Sequence, residues 1–266
     1  MPSLLLPLLL VLPLAAALLL PLLAGSSAAR VRNLAALACA GQFLVALIAW
    51  RWPPADLHLA WLPKLKLSLD LGLDGLSLPL VLLTALVSTM AILSAPEDQH
   101  RPRLFHSLLL ATNVGVTGAF LARNALLFLL AFELVLIPAT LLVAAWGGPR
   151  RAGAAIRYLV YGSVSGLSLL GGVLALGWFN SNGVSFDYAD LAHARLTPGA
   201  QAWILGLLLL AFGLKLPIVP LHGWQPLTYS QAPIPAVMLL SGTVSKLGAY
   251  GLLRFGVGFL PDVWAA

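Results

Sequence analysis

The chain has 266 residues, of which 60% are hydrophobic and only 9% charged, against roughly 25% charged in an ordinary soluble domain. That balance excludes a water-soluble globule and points to an all-α polytopic membrane protein. The net charge of +6 comes without a basic cluster, which argues against a nucleic-acid partner, and the single cysteine, Cys39, excludes an internal disulfide.

Crossing a hydrocarbon core of about 30 Å takes about 20 apolar residues. In sequence order, runs of that kind fall at 3–24, 33–50, 75–94, 104–122, 124–146, 155–178, 201–225 and 234–259. These predict eight membrane helices with the lipid bilayer as their solvent. The first run has no Lys or Arg before Arg30, so it lacks the positive region of a signal peptide and reads as a retained span. Between the second and third runs, "KLKLSLDLGLD" (64–74) alternates with period two and predicts a short strand or hairpin outside the membrane. "GSVSGLSLLGG" (162–172) predicts close helix packing through small residues. The turn-rich 179–200 predicts a short surface helix around Asp187 to Ala194.

Orientation follows from basic residues beside the spans. With the N-terminus outside, Arg30, Arg32, Arg101, Arg103, Arg150, Arg151 and Arg157 lie on the inner side. Arg51, Lys64, Lys66, Arg123, Arg195 and Arg254 then lie on the outer side. The "GGPRRAGAAIR" loop (147–157), with Arg150, Arg151 and Arg157, weighs most in that balance, and it favours an outer N-terminus.

Three charged residues fall deep inside spans, near the midplane: Glu133, Lys215 and Lys246. Glu133 lies nine residues past Asn124, roughly 13 Å deep at 1.5 Å per residue. A lysine at the centre of a span costs roughly 2.5–3.5 kcal/mol on insertion scales, and such residues mark ion or proton paths or pair with one another. A Glu–Lys pair that only locks helices together is the competing reading. "FGLKLPIVPLHGW" (212–224) adds Pro217 and Pro220 just after Lys215, and an interior proline removes a backbone hydrogen bond. A helix broken at Leu216 to Val219, with free carbonyls beside Lys215, is expected, since irregular backbone at that depth survives only where protein or a wet cavity satisfies it. His222 fits either a proton carrier or a histidine hydrogen-bonded at the break. His58, His100, His106 and His193 have no ligand spacing, so no metal is expected. No phosphate loop, hydrolytic triad or haem or cluster ligation is present in the sequence.

"LLFLLAFELVLIPATLLVAAWGG" (126–148), "FGLKLPIVPLHGW" (212–224) and "SKLGAYGLLRF" (245–255) resemble the antiporter-like membrane subunits of respiratory complex I and its photosynthetic relatives. The type is the M subunit, called subunit 4 in mitochondria. "WLPKLKLSLDLGLDGLSLPLVLLTAL" (61–86) and "RPRLF" (101–105) are most similar to its cyanobacterial and plastid version, the D subunit. The resemblance runs from about residue 60 to the end. It implies a proton-translocating subunit of an NAD(P)H- or ferredoxin-dependent (plasto)quinone oxidoreductase, working among other membrane subunits of the complex. The complex would use NAD(P)H or ferredoxin and a quinone, with no cofactor and no redox centre on this polypeptide. The family's essential glutamate falls on Glu133 with Pro138 following, its broken-helix lysine on Lys215, its next lysine on Lys246 and its histidine on His222. Glu133 would modulate the charge of Lys215, and Lys246 would pass the proton on.

The implied architecture has three N-terminal helices with an outer hairpin-like loop in 1–103. A first antiporter-like five-helix repeat follows in 104–266, formed by helices four to eight with helix seven broken. A second, inverted repeat is expected beyond this stretch, so the sequence reads as one part of a longer subunit or as a split product. The implied location is a cyanobacterial thylakoid or bacterial inner membrane, with the N-terminus lumenal or periplasmic. After the histidine the family continues Trp-Leu-Pro-Asp-Ala-His, whereas this sequence has "WQPLTYSQAP" (224–233), with Leu227 and Tyr229 in place of Asp and His. That departure points to a specialised paralogue such as the carbon-dioxide-uptake form. A multi-subunit cation/proton antiporter, a membrane-bound hydrogenase and a non-transporting structural membrane subunit are the alternatives.

Overall fold

The computed structural model describes residues 4–23, 25–180, 183–194 and 196–264; Arg195, used above for orientation, lies outside them. The apolar runs become helices because each buried backbone group must find its partner within its own segment. The helices are α1 (Leu5–Leu19), α2 (Ala28–Arg51), α3 (Ser77–Leu93), α4 (Pro102–Leu121), α5 (Ala125–Leu134), α6 (Leu136–Trp146) and α7 (Arg151–Trp178). After them come α8 (Tyr188–Ala192), α9 (Pro198–Lys215), α10 (Gln225–Gln231), α11 (Ile234–Leu239), α12 (Ser245–Gly251) and α13 (Pro261–Trp264). Among the described residues, seven segments are long and apolar enough to cross a membrane by themselves. The remaining expected span, α3, has 17 residues, roughly 26 Å at 1.5 Å per residue and at the short end of the spanning range.

α4 is the central helix, with 72% of its apolar window buried, and α1, α2, α3, α5 and α6 pack around it. Two of its polar residues are tied across helices: Asn113 donates to Ser88 Oγ (2.7 Å) and Gln42 Oε1 (3.0 Å), and Gln42 donates to Thr117 Oγ1 and Leu9 O. The small-residue face of α7 packs as the sequence predicts. Gly162 lies against Leu136, Gly172 against Leu208, and Ser165 Oγ donates to Ala211 O at 2.8 Å.

The hairpin is real but starts earlier than 64. β1 (Leu57–Leu62) pairs antiparallel with β2 (Leu67–Leu71), and Lys66 turns the backbone in the left-handed region at φ 53°. α8 is the short helix expected near 187–194. Three departures from regular helix are local. α5 and α6 form one span interrupted at Val135, because Pro138 has no N–H for the Leu134 carbonyl. The last span, Ile234–Val257, widens into π-helix at Leu240–Val244 and Leu252–Val257, which the sequence did not foretell. The seventh span, expected over 201–225, is a helix only to Lys215, and 216–224 is a run of turns.

Candidate functional site

Each charged side chain stands where a helix is interrupted. Glu133 is the last residue but one of α5, next to the Val135 interruption. Lys215 closes α9, and beyond it the two prolines deny the helix its next donors. The break is stitched by backbone and side chain: Ile218 N donates to Gly213 O at 3.0 Å, and Trp224 Nε1 donates to Leu214 O at 2.9 Å. The carbonyl before Lys215 is therefore taken by an indole N–H, where the sequence reading expected it free.

Lys215 is 4% exposed, and its Nζ has no hydrogen-bond partner among the described residues. Its ammonium lies over the Phe132 ring, 4.3 Å from the centroid, a cation–π contact with the residue next to Glu133. Beside it is a cavity of about 10 Å³ lined by Tyr158, Tyr161, Ser165 and Trp224, among others. That is about the space one water needs. The hydroxyls of Tyr158 and Tyr229 are also buried and unpartnered among the described residues, as are Glu133 Oε1 and His222 Nδ1. An orphaned buried polar atom costs roughly 1–3 kcal/mol, and their grouping around one helix break makes the break the candidate site.

Glu133 lies on the α7 side of α5, its carboxyl pressed against Gly166, where any Cβ would collide with it. It lines a groove of about 360 Å³ with Leu130, Ser163 and Leu167. Of the approach to Lys215 that the sequence suggests, by a direct hydrogen bond or through one water, the direct form is absent: no ion pair joins the two within 4.0 Å among the described residues. Lys246 is half-buried in the first turn of α12, and its Nζ donates to Ser241 O at 2.7 Å. Two residues on, Gly248 meets the end of α9 so closely that a Cβ would sit 2.7 Å from Phe212 O. His222 lies half-buried in the turns after Lys215. The fold thus gathers Glu133, Lys215, Lys246 and His222 around the α9 break without bonding any of them to another. Among the described residues, no group of three or more His, Cys, Asp or Glu is placed to hold a metal ion.

Sequence reasoning missed Phe132, Tyr158 and Tyr229. Phe132 adjoins Glu133 and Tyr158 is four residues before Gly162 on the buried face of α7, but an aromatic residue in an apolar span carries no signal of its own. Tyr229 stands where the family histidine was expected, and it packs edge-on against Trp224 at 6.0 Å.

A bundle of apolar spans that breaks beside a buried, unpartnered lysine defines an integral membrane protein of the antiporter-like class. Residues 122–265, more than half of the chain, match the family model described as NADH:quinone oxidoreductase/Mrp antiporter, TM, and the chain belongs to that family. It is 40% identical over 260 residues to the NAD(P)H-quinone oxidoreductase chain 4 1 of Synechococcus sp. (strain JA-3-3Ab), covering 96% of this chain and 49% of that protein. The NAD(P)H-quinone oxidoreductase chain 4 of Prochlorococcus marinus (strain NATL1A) is 44% identical over 207 residues, 77% of this chain and 38% of that one. The chain therefore spans half or less of the length of these relatives. Among solved structures, a subunit of respiratory complex I from Thermus thermophilus with bound NADH superposes with a TM-score of 0.85 at 30% identity, over 100% of this chain and 54% of that one. A subunit of the Mrp complex from Dietzia sp. DQ12-45-1b gives 0.82 at 24%, over 97% and 29%, a likeness of fold.

Proposed function

We propose that this chain serves as a proton-translocating membrane subunit, or part of one, in an NAD(P)H- or ferredoxin-dependent (plasto)quinone oxidoreductase. Its protons move through Glu133, Lys215 and Lys246, with His222 at the mouth of the break, and the redox chemistry takes place on other subunits. Residues 104–266 form one antiporter-like repeat after the helices of 1–103. The observation that carries this reading is the state of Lys215: buried, unpartnered, and next to a cavity that fits one water. A helix-locking salt bridge needs a carboxylate in contact, and none among the described residues touches Lys215. A lysine on an aromatic face with room for a water can release a proton as the ammonium and regain it as the amine without first breaking a salt bridge. The carboxyl of Glu133, one residue past Phe132, biases that charge through space. Lys246, whose Nζ donates to Ser241 O and makes a long approach to Ser245 Oγ, is the next proton acceptor in this reading.

The distribution of Arg residues supports placing the hairpin end on the lumenal or periplasmic side. Identities of 40–45% to quinone oxidoreductase subunits favour this machine over a cation/proton antiporter or hydrogenase. The test is Lys215→Ala in membranes where assembly has been checked. Proton pumping and the quinone reduction coupled to it should both fall severely. Pumping at the wild-type level would remove the relay.

A further inference from the structure

Two spaces flank the core of the second half of the chain. One is the small cavity at Lys215. The other is a vestibule of about 650 Å³ at the hairpin end, whose walls include Tyr188, Phe259 and Arg254. Between them lie five aromatic rings: Phe128, Phe132, Phe212 and Phe255 are fully buried and Tyr250 is 1% exposed. The rings touch in series from one space to the other. Phe132 carries the Lys215 ammonium and packs on Phe128 (5.8 Å), Phe128 packs on Phe255 (4.9 Å), and Phe255 meets both Tyr188 (5.6 Å) and Phe259 (5.3 Å) at the vestibule wall. Phe212 and Tyr250 close the sides, at 6.1 and 6.0 Å from Phe128. The polar tip of Tyr250 points out of the column and is satisfied, donating to Phe120 O and accepting from Arg254.

From this we infer that the five rings are a dry plug that isolates Lys215 from the hairpin-end vestibule, so that a proton on Lys215 exchanges only from the side of Tyr158 and Trp224. The inference rests on the relay reading for its purpose but not for its geometry. A close-packed apolar constriction excludes water and so interrupts any hydrogen-bonded path for a proton. The plug is fastened at its outer end. Arg254, stacked over Tyr250 (5.2 Å) and Tyr188 (5.7 Å), is hydrogen-bonded to Asp74, which also accepts from Arg123 at 2.9 Å. Asp74 in turn caps α3 through the Ser77 amide at 2.8 Å. A single carboxylate thereby ties the last span, the start of α5 and the start of α3 over the end of the column.

The test is passive proton leak in sealed membrane vesicles holding the assembled complex without its reductant, so that no turnover is needed. Because a purely apolar cavity stays dry, the informative variant is Phe128→Ser, which removes the ring and leaves a hydroxyl in the column. Its leak should rise several-fold over wild type, while Phe128→Leu should stay tight. A Phe128→Ser complex as tight as wild type would overturn the plug, whatever Lys215→Ala does to pumping. A raised leak together with normal pumping in Lys215→Ala would keep the plug and discard the relay. Should Phe128→Ser fail to assemble, Phe255→Cys answers the same question, with buried Cys39 as the background thiol of this chain. A water-soluble thiol reagent added on the hairpin side should leave the introduced thiol at position 255 unmodified, and labelling there would overturn the plug.

Discussion

Asp74 shows how one side chain can be read from its surroundings. Burial pushes its carboxyl up, but the Ser77 amide, the Arg254 guanidinium and the charge of Arg123 outweigh burial and hold it well below the usual carboxylate range. A carboxylate lowered in the folded state contributes stability that is fully present above its unfolded value of about 3.9 and is lost as pH falls through the folded value. Asp74→Asn should therefore lower the thermal midpoint of the detergent-solubilised complex at neutral pH, and the gap to wild type should narrow below about pH 4. A gap that stays constant from neutral to acid pH would show that the carboxylate charge is not what holds the cluster. At this scale the sequence was informative wherever charge met an apolar run. Glu133, Lys215 and Lys246 stand out because ionised groups are rare there, whereas Phe132 and Tyr158 do not, because aromatic residues in a span are ordinary.

Breaks, and not continuous helices, set the geometry of the elements. Proline spells two of them in the sequence, at Pro138 and at Pro217 with Pro220, and both appear in the structure beside Glu133 and Lys215. The π segments of the last span carry no such residue, and in the first of them Gly242 packs against Val87. α5 owes its start to Asn124, whose Oδ1 accepts from Leu126 N (3.0 Å) and Leu127 N (3.3 Å) while Nδ2 donates to Asp187 at 2.7 Å. Asn124→Ala removes the cap and the tie together and should cost about 1–2 kcal/mol, seen as a lower unfolding midpoint and a frayed first turn of α5 in hydrogen exchange. Unchanged protection at 125–128 would show that packing alone starts the helix. The hairpin was legible through the alternation of 64–74, but β1 was not, since its residues at 57–62 are nearly all exposed and no buried face imposes a pattern on them.

For the whole molecule, the order of the apolar spans was legible from hydropathy, and among the described residues seven of the eight expected are long and apolar enough to cross, α3 having only 17 residues. The separation of Glu133 from Lys215 was not legible, because it depends on how α5, α7 and α9 pack, with Gly166 bringing the carboxyl onto α7 and Phe132 taking the ammonium. The plug between Lys215 and the vestibule carries a consequence for the isolated polypeptide. Purified and placed in liposomes, the 266 residues should pass no more protons than empty vesicles do, and sustained flux dependent on Lys246 would contradict closure at the hairpin end. The most direct measurement on the relay itself is proton pumping by Lys215→Arg in membranes with verified assembly. A guanidinium keeps the charge and the contact with Phe132 but stays protonated at any accessible pH. A relay through Lys215 requires pumping to fail almost as badly as in Lys215→Ala, with the complex still assembled. Near-normal pumping by the arginine complex would contradict it and leave Lys215 a structural charge.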